Sequence, residues 1–373
     1  MKKIVYFGII QFKYQNAMCQ RVKGIKKIIE EMGYELIEIG VDEFANISSY
    51  VEIDDNVFAI KDPKTIKEWI KSCYDTKSIS KIIEQYNRGD IEALIMADYR
   101  LIPMIKMKRY CEKNNIKFIV DIMDWFPLEL SIKGFIKKID NELRMKLFYP
   151  FLDRRIYICT QYEKKWNKGE FSRVIPGVVI QKNELVNYTH DKIQLVFAGR
   201  PEKKCKKEKI NWLIKAINQG DNKNKFQLYI AGITKSQFIN ENPEYEQYIS
   251  ENIVFLGRLS HEKCVDLIRK SDFSVVIRPN NKLSNYGFST KIGESFSYNI
   301  PVIATDTSDN NLYIKNNVNG YICDCDYLSL EKMVTEIGKL SNDEIFNLKK
   351  NIYENNPLFY NRYIKRLQDV LGD

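Results

Sequence analysis

Apolar positions fall into two alternating series, each made of short apolar runs separated by stretches with a helical period. In the first series residues 3–10 read as a strand, 17–32 as an amphipathic helix and 35–41 as a second strand. Helical segments near 64–69 and 78–86 precede a third strand over 93–97. Residues 102–113 follow as a helix. Residues 117–121 then form a strand that runs into Asp124-Trp125-Phe126-Pro127. After a lysine-rich helical stretch, an apolar run at 155–159 gives another strand, followed by Val174-Ile175-Pro176-Gly177. Residues 181–192 are polar, show no apolar period and read as a linker. The second series places strands at 194–198, 226–231, 253–257, 273–277, 301–304 and 320–323, and closes on a helical pattern over 343–371. Strands separated by helices predict parallel, doubly wound sheets. A chain of 373 residues exceeds what one core usually holds. The expectation is therefore an α/β protein of two Rossmann-like domains, 1–180 and 193–355.

Composition narrows the class. Hydrophobic residues make up 44% and charged residues 29%, as in soluble globular proteins, and no apolar run nears the ~18 residues of a membrane span. The opening MKKIVYFGIIQF carries two lysines before an apolar run, but it lacks a small-residue cleavage site and reads as the first strand. Eight cysteines stand at no metal-ligand spacing and there are two histidines, so no zinc site is expected and free thiols in a reducing cytoplasm are the simplest account. The formal charge of +9 and pI near 8.9 favour an anionic partner: nucleic acid, an acidic membrane surface or a diphosphate. A solvated basic surface is the alternative. Neither half holds a G-x-G-x-x-G or Walker sequence, which counts against a dinucleotide dehydrogenase and a P-loop NTPase.

The stretch 284–305, SNYGFSTKIGESFSYNIPVIAT, reads as a loop, a helix of two to three turns and a buried strand. Gly287 allows a tight turn, and Ser289 or Thr290 can cap the helix. Lys291 in the first turn opposes the helix dipole unless an anion is also present. Glu294 follows one turn later, and Asn299 and Pro301 end the helix. Free amides, hydroxyls and a lysine together make a phosphate seat, or else an ordinary loop–helix–strand unit of an α/β sheet. With Gly287, Phe288, Glu294, Pro301, Val302 and Ile303 in register, the stretch resembles the donor signature of retaining glycosyltransferase family 4, whose fold is GT-B. That resemblance implies two Rossmann-like domains facing a central cleft, with the terminal helix 356–373 crossing back to the first. It implies that Glu294 bonds the nucleotide ribose and that the Gly287–Ser289 backbone faces the sugar and diphosphate. Tyr286 stands where the family has its first Glu, a residue that usually helps hold the donor sugar.

A second basic constellation, Gly199-Arg200-Pro201-Glu202-Lys203-Lys204-Cys205-Lys206-Lys207, follows the strand at 194–198. Strand ends of this kind bind ligands in open α/β sheets. The resemblance implies an Arg and a Lys here that stabilise the departing nucleoside diphosphate. Arg200 matches, while Lys204, Lys206 and Lys207 compete for the second place, with Lys207 favoured. Arg278, after the strand at 273–277, either joins the donor site or pairs with a surface carboxylate. In the first domain Asn16 and Ala17 lie in the turn after the first strand, Asp98 and Tyr99 end the third, and Asp121, Asp124 and Trp125 follow the fourth. These are acceptor-binding candidates, and strand-end Asp residues also serve as turn or helix caps. Asp324-Cys325-Asp326 imitates a metal-binding Asp-x-Asp but lies too late in the chain.

The combined expectation is a metal-independent, retaining enzyme that transfers a sugar from a nucleotide-diphosphate donor, by default a UDP-sugar, to a hydroxyl of a surface glycan or glycolipid. It needs no cofactor beyond that co-substrate and no nucleic acid. It is expected in the cytoplasm, peripheral on the inner face of the plasma membrane. Lys133, Lys137, Lys138, Arg144, Lys146, Phe148 and Tyr149 are the candidates for touching an anionic membrane surface. The rivals are a nucleotide-sugar-binding accessory protein on the same scaffold, impaired by Tyr286, and a basic nucleic-acid-binding protein using the 203–209 lysines.

Overall fold

The computed structural model describes residues 1–12, 17–125, 132–166 and 169–372. The chain divides into two compact units, Met1–Val178 with Tyr360–Asp373, and Val179–Phe359. Residues 181–192 hold no helix or strand and count in the second unit.

The first unit is built on an eight-stranded sheet. Its strands are β1 (Lys3–Phe7), β2 (Glu35–Asp42), β3 (Tyr50–Asp54), β4 (Val57–Lys61), β5 (Ile91–Ala97), β6 (Lys117–Ile122), β7 (Arg154–Tyr157) and β8 (Phe171–Val174). They lie in the order β3-β4-β2-β1-β5-β6-β7-β8, all neighbours parallel except the β3–β4 hairpin. β5 is apolar almost throughout because both of its faces are covered, as parallel strands require. The helix Ala17–Glu31 turns Cys19, Val22, Ile25, Ile28 and Ile29 inward at helical spacing. The first strand of the hairpin escapes the sequence reading for a physical reason. β3 is an edge strand whose Val51 and Ile53 face outward among acidic residues, so its apolar pattern does not mark a core. Asn56 takes a positive φ of 57° to make the turn.

The chain's last segment, a 3₁₀ turn Tyr360–Tyr363 and the helix Ile364–Leu371, belongs to this same unit. Leu367, Val370 and Leu371 enter the core with Ile4, Tyr6 and Ile25. Arg366 donates to the Val174 carbonyl at 2.8 Å, and Arg173 pairs with Asp369 at 2.9 Å. The helix is shorter than the expected 356–373 because the preceding residues form turns.

The second unit holds six parallel strands: β9 (Ile193–Ala198), β10 (Phe226–Ala231), β11 (Ile253–Gly257), β12 (Phe273–Val276), β13 (Val302–Thr305) and β14 (Gly320–Cys323). Their order is β11-β10-β9-β12-β13-β14, so the order in which the chain adds strands reverses between β9 and β12. Such a switch point leaves room for a ligand beyond the carboxyl ends of the strands. Leu195, Phe197, Leu228, Phe273 and Val275 from the sheet pack on Leu213 and Ile217 of the helix Ile210–Ile217.

Candidate functional site

The carboxyl ends of β9 and β12 flank that switch point. Gly199 follows β9 at φ 146°, and a Cβ at neighbouring Gly232 (φ 118°) would collide with the Gly199 carbonyl. Two bare backbones therefore meet where side chains would fill the space. At the end of β12, the Arg278 amide donates to Thr305 Oγ1 at 2.8 Å while that hydroxyl donates back to the Arg278 carbonyl at 2.7 Å. This exchange fixes the Arg278 backbone.

Into this corner comes the helix Thr290–Ser297. Ser289 occupies its N-cap position, yet its side chain makes no capping bond. The hydroxyl instead accepts from Arg278 Nη2 at 3.2 Å, which leaves the amides of the first turn without a side-chain acceptor. Lys291 Nζ lies beside Gly199, where an added Cβ would stand 3.0 Å from it, and 4.0 Å from the centre of the Phe197 ring.

The Lys291 ammonium donates to Glu208 Oε1 at 2.7 Å, and Arg278 Nη2 stands 3.6 Å from the same oxygen. Glu208 is buried, and its Oε2 has no hydrogen-bond partner among the described residues. Burial pushes the Lys291 ammonium below the ordinary lysine range; Glu208 pulls it back up, while Arg278 and Lys207 push it further down.

Glu208 is absent from the sequence reading because it sits inside a lysine run. Its neighbours point outward, whereas the hydrogen bond from the Lys209 amide to the Ile277 carbonyl (2.6 Å) ties this turn to the end of β12. Lys204, Lys206 and Lys207 are all exposed. Their loop is held by buried Cys205 and by positive φ at Glu202, Lys204 and Cys205. The lysine brought to Arg278 is thus Lys291 of the helix. Lys207 is near enough to lower its charge affinity, and Arg200 is exposed at the end of β9.

Glu294, one turn along, places Oε1 3.9 Å from His261 Nδ1. Burial raises its carboxyl, and His261 and Lys291 act against that rise. No local pattern in the sequence points to His261. It opens the helix His261–Arg269 behind the capping Ser260, and only the fold brings it to Glu294. Gly287 is buried, Phe288 packs edge-on against Tyr313 (5.3 Å between centres), Tyr286 follows the short helix Lys282–Asn285, and Thr290 is exposed. Asp326 caps the helix Tyr327–Ile337 through the Ser329 amide at 2.9 Å, an ordinary structural use of that residue. No group of His, Cys, Asp and Glu suited to a metal occurs among the described residues.

In the first unit the acceptor candidates separate. Asp121 is fully buried: Arg21 grips it with two bonds of 2.8 and 2.9 Å, and Tyr6 donates at 2.7 Å. Arg21 also holds the Ile175 and Pro176 carbonyls at 2.6 Å, so Asp121 is a structural ion pair and not a surface carboxylate. Trp125 is likewise buried, donates to Glu142 at 3.0 Å and is covered by Lys165, which removes the exposed ring expected for sugar stacking. Tyr99 packs edge-on against Phe7 at 4.6 Å. Asp98 adopts φ 37° at the end of β5; its Oδ2 accepts from the Met123 and Asp124 amides at 3.1 and 3.3 Å. Its Oδ1 stands 3.6 Å from Arg144. Burial carries this carboxyl up to about 7, with Arg144 opposing and Asp124 assisting. Asp124 is half-buried. Ala17 begins the helix Ala17–Glu31, and Asn16 lies outside the described residues.

Residues 192–343 match the family model described as Glycosyl transferases group 1. No curated protein matches the chain. Among solved structures, sucrose-phosphate synthase from Thermosynechococcus elongatus superposes with a TM-score of 0.71 at 14% identity, over 100% of this chain and 98% of that one. A glycosyltransferase from Rickettsia africae gives 0.66 at 14% identity, covering 100% and 99%. HepE from Anabaena, in complex with UDP and glucose, gives 0.61 at 11% identity, covering 100% of both chains. At these identities the likeness concerns the fold, which is GT-B.

Proposed function

We propose that this GT-B protein, whose residues 192–343 match the family model described as Glycosyl transferases group 1, transfers a sugar from a nucleotide-diphosphate donor to a hydroxyl acceptor with retention of configuration and without a metal. The observation that carries the reading is the Lys291–Glu208–Arg278 cluster, set at a helix start whose amides lack a side-chain cap and beside the bare backbone of Gly199. Two cations and a helix N-terminus are what a diphosphate requires. Charge grows on the leaving diphosphate as the sugar departs. Lys291, Arg278 and the first-turn amides oppose it, joined by Arg200 and Lys207 from the loop after β9. One such donor is worth about 2.7–4 kcal/mol where water is excluded. Glu294 bonds the ribose, and the 287–289 backbone faces the sugar. UDP is the expected nucleotide, in keeping with the HepE complex.

The acceptor is a glycan or lipid-linked glycan, and an anionic membrane surface is part of this reading. The helix Ile132–Leu143 and the turns that follow it leave Ile136, Ile139, Leu143, Leu147 and Phe151 exposed at intervals of three or four, with exposed Lys137, Lys138 and Lys146 alongside. That is the pattern of a helix lying in a lipid interface. Two of the residues first considered for this contact, Arg144 and Tyr149, are buried and bonded to each other at 2.8 Å instead. Among the described residues no helix is long and apolar enough to cross a membrane. A second reading, a nucleotide-sugar-binding accessory protein, rests on Tyr286 in place of a family carboxylate.

Thermal unfolding against UDP, GDP, ADP, CMP and their sugar conjugates tests the donor site. A ligand at 100 times its Kd adds about 2.7 kcal/mol, a rise of several degrees. The rise is expected for one base and is expected to vanish in Arg200→Ala and Glu294→Ala. No rise with any nucleotide at millimolar concentration would sink the reading. Binding without transfer or slow donor hydrolysis would favour the accessory protein.

A further inference from the structure

The basic cluster contains a buried acid, which is an odd choice for a site meant to hold a polyanion. Glu208 lies in the turn between β9 and the helix Ile210–Ile217, and its burial leaves it no route to solvent. One oxygen serves Lys291 and Arg278 together, at 2.7 and 3.6 Å, while the other has no hydrogen-bond partner among the described residues. Leaving a buried carboxylate oxygen unbonded is costly, so its retention calls for a compensating task. The backbone of the turn is fixed independently, by the Lys209 amide on the Ile277 carbonyl. The acid is therefore not needed to close the loop.

We infer that Glu208 is a positioning residue: its carboxylate keeps the Lys291 ammonium charged and held beside Gly199, so that the helix lysine is the amine presented to the donor diphosphate. This rests on the donor-site reading above. Lys291 sits over an aromatic ring and close to Arg278 and Lys207, two cations that favour loss of its proton. Among the charged groups that face it, Glu208 is the acid in direct contact, and Glu294 on its own helix adds a weaker pull. Without Glu208 the buried amine would hold its proton less firmly, because burial, Arg278 and Lys207 all favour its loss. It would also be free to swing away from the strand end.

Two measurements on the full chain test this. The first titrates Lys291 without any ligand, using the Hε–Cε correlations of ¹³C-lysine, with the signal assigned by Lys291→Arg. In Glu208→Gln the midpoint should fall by about one to three pH units, the effect of removing an opposite charge at this range. If that variant does not fold, Glu208→Asp carries the test. Its side chain is one methylene shorter and should lower the midpoint by a smaller amount. An unchanged midpoint in the variant that folds overturns the inference.

The second follows affinity for UDP, GDP and ADP, each against its own nucleoside, across pH 6–10 by calorimetry. Diphosphate affinity should fall as pH rises through the Lys291 midpoint, and Glu208→Gln should move that fall to lower pH. Lys291→Met should weaken the diphosphate by about ten- to a hundredfold, leave the nucleoside unaffected and abolish the pH-dependent fall. A uniform loss in Glu208→Gln, with the fall at the same pH as in the parent, would mark a merely structural acid and overturn the assignment. If none of the three diphosphates binds the parent protein, the donor-site reading fails, and the lysine titration still decides what Glu208 does.

Discussion

Asp98 shows how far a single side chain departs from what its position in the sequence suggests. A strand-end aspartate reads as a cap or a ligand, yet burial here carries its carboxyl up to about 7. Its folded value lies above the ordinary one, so between about pH 4 and 7 the folded state binds a proton that the unfolded chain releases. Stability therefore declines as pH rises through that window. The ceiling on the decline is about 4 kcal/mol, at 1.36 kcal/mol for each pH unit of displacement. Asp98→Asn should flatten the pH dependence of urea unfolding between pH 4 and 7 and leave the variant more stable than the parent at pH 8. A slope identical in parent and variant would remove Asp98 from this role. Residue type and position suggested Asp121 and Trp125 as acceptor ligands because both follow a strand. Their partners, Arg21 and Glu142, lie 100 and 17 residues away, and no local pattern reveals them.

At the level of elements, the apolar period located most of the parallel strands of both sheets, because strands buried on two faces read as continuous runs. It failed at β3, an edge strand whose outward residues are mixed, and at β4 and β8, whose apolar runs are short. The terminal helix is the element whose place matters most, since it closes the core of the unit in which the chain begins. Leu367 is fully buried there, so Leu367→Ala should cost about 2–5 kcal/mol in urea unfolding. Lys365→Ala on its exposed side should stay within about 0.5 kcal/mol. A loss below 1 kcal/mol for Leu367→Ala would show that the helix contributes little to that core.

For the molecule as a whole, the charge of +9 acts together with the apolar stripe on the helix Ile132–Leu143. The two predict binding to vesicles containing phosphatidylglycerol and little binding to neutral phosphatidylcholine, with the difference shrinking as salt is raised. In a sedimentation assay, Ile139→Glu with Leu147→Glu should abolish the bound fraction, whereas Lys137→Ala with Lys138→Ala should reduce it and weaken its salt dependence. Equal binding to neutral and anionic vesicles would rule out the electrostatic part. Concentration-dependent dimerisation lost in the same double variant, without vesicle binding, would assign the stripe to a second copy of the chain.

The sequence by itself determined the two alternating series and the stretch around residues 284–305, because burial of parallel strands and the demands of a helix start are written locally in apolar period, glycines and caps; the GT-B class came from the resemblance that this stretch carries. The tertiary structure decided which charges meet. That Lys291 rather than the 203–207 lysines stands by Arg278, that Glu208 lies between them, and that Asp121 is spent on Arg21 all follow from strand order and from turns fixed by backbone bonds. Coulomb energy and desolvation depend on distance and burial in space, and a run of lysines with one glutamate inside it carries neither.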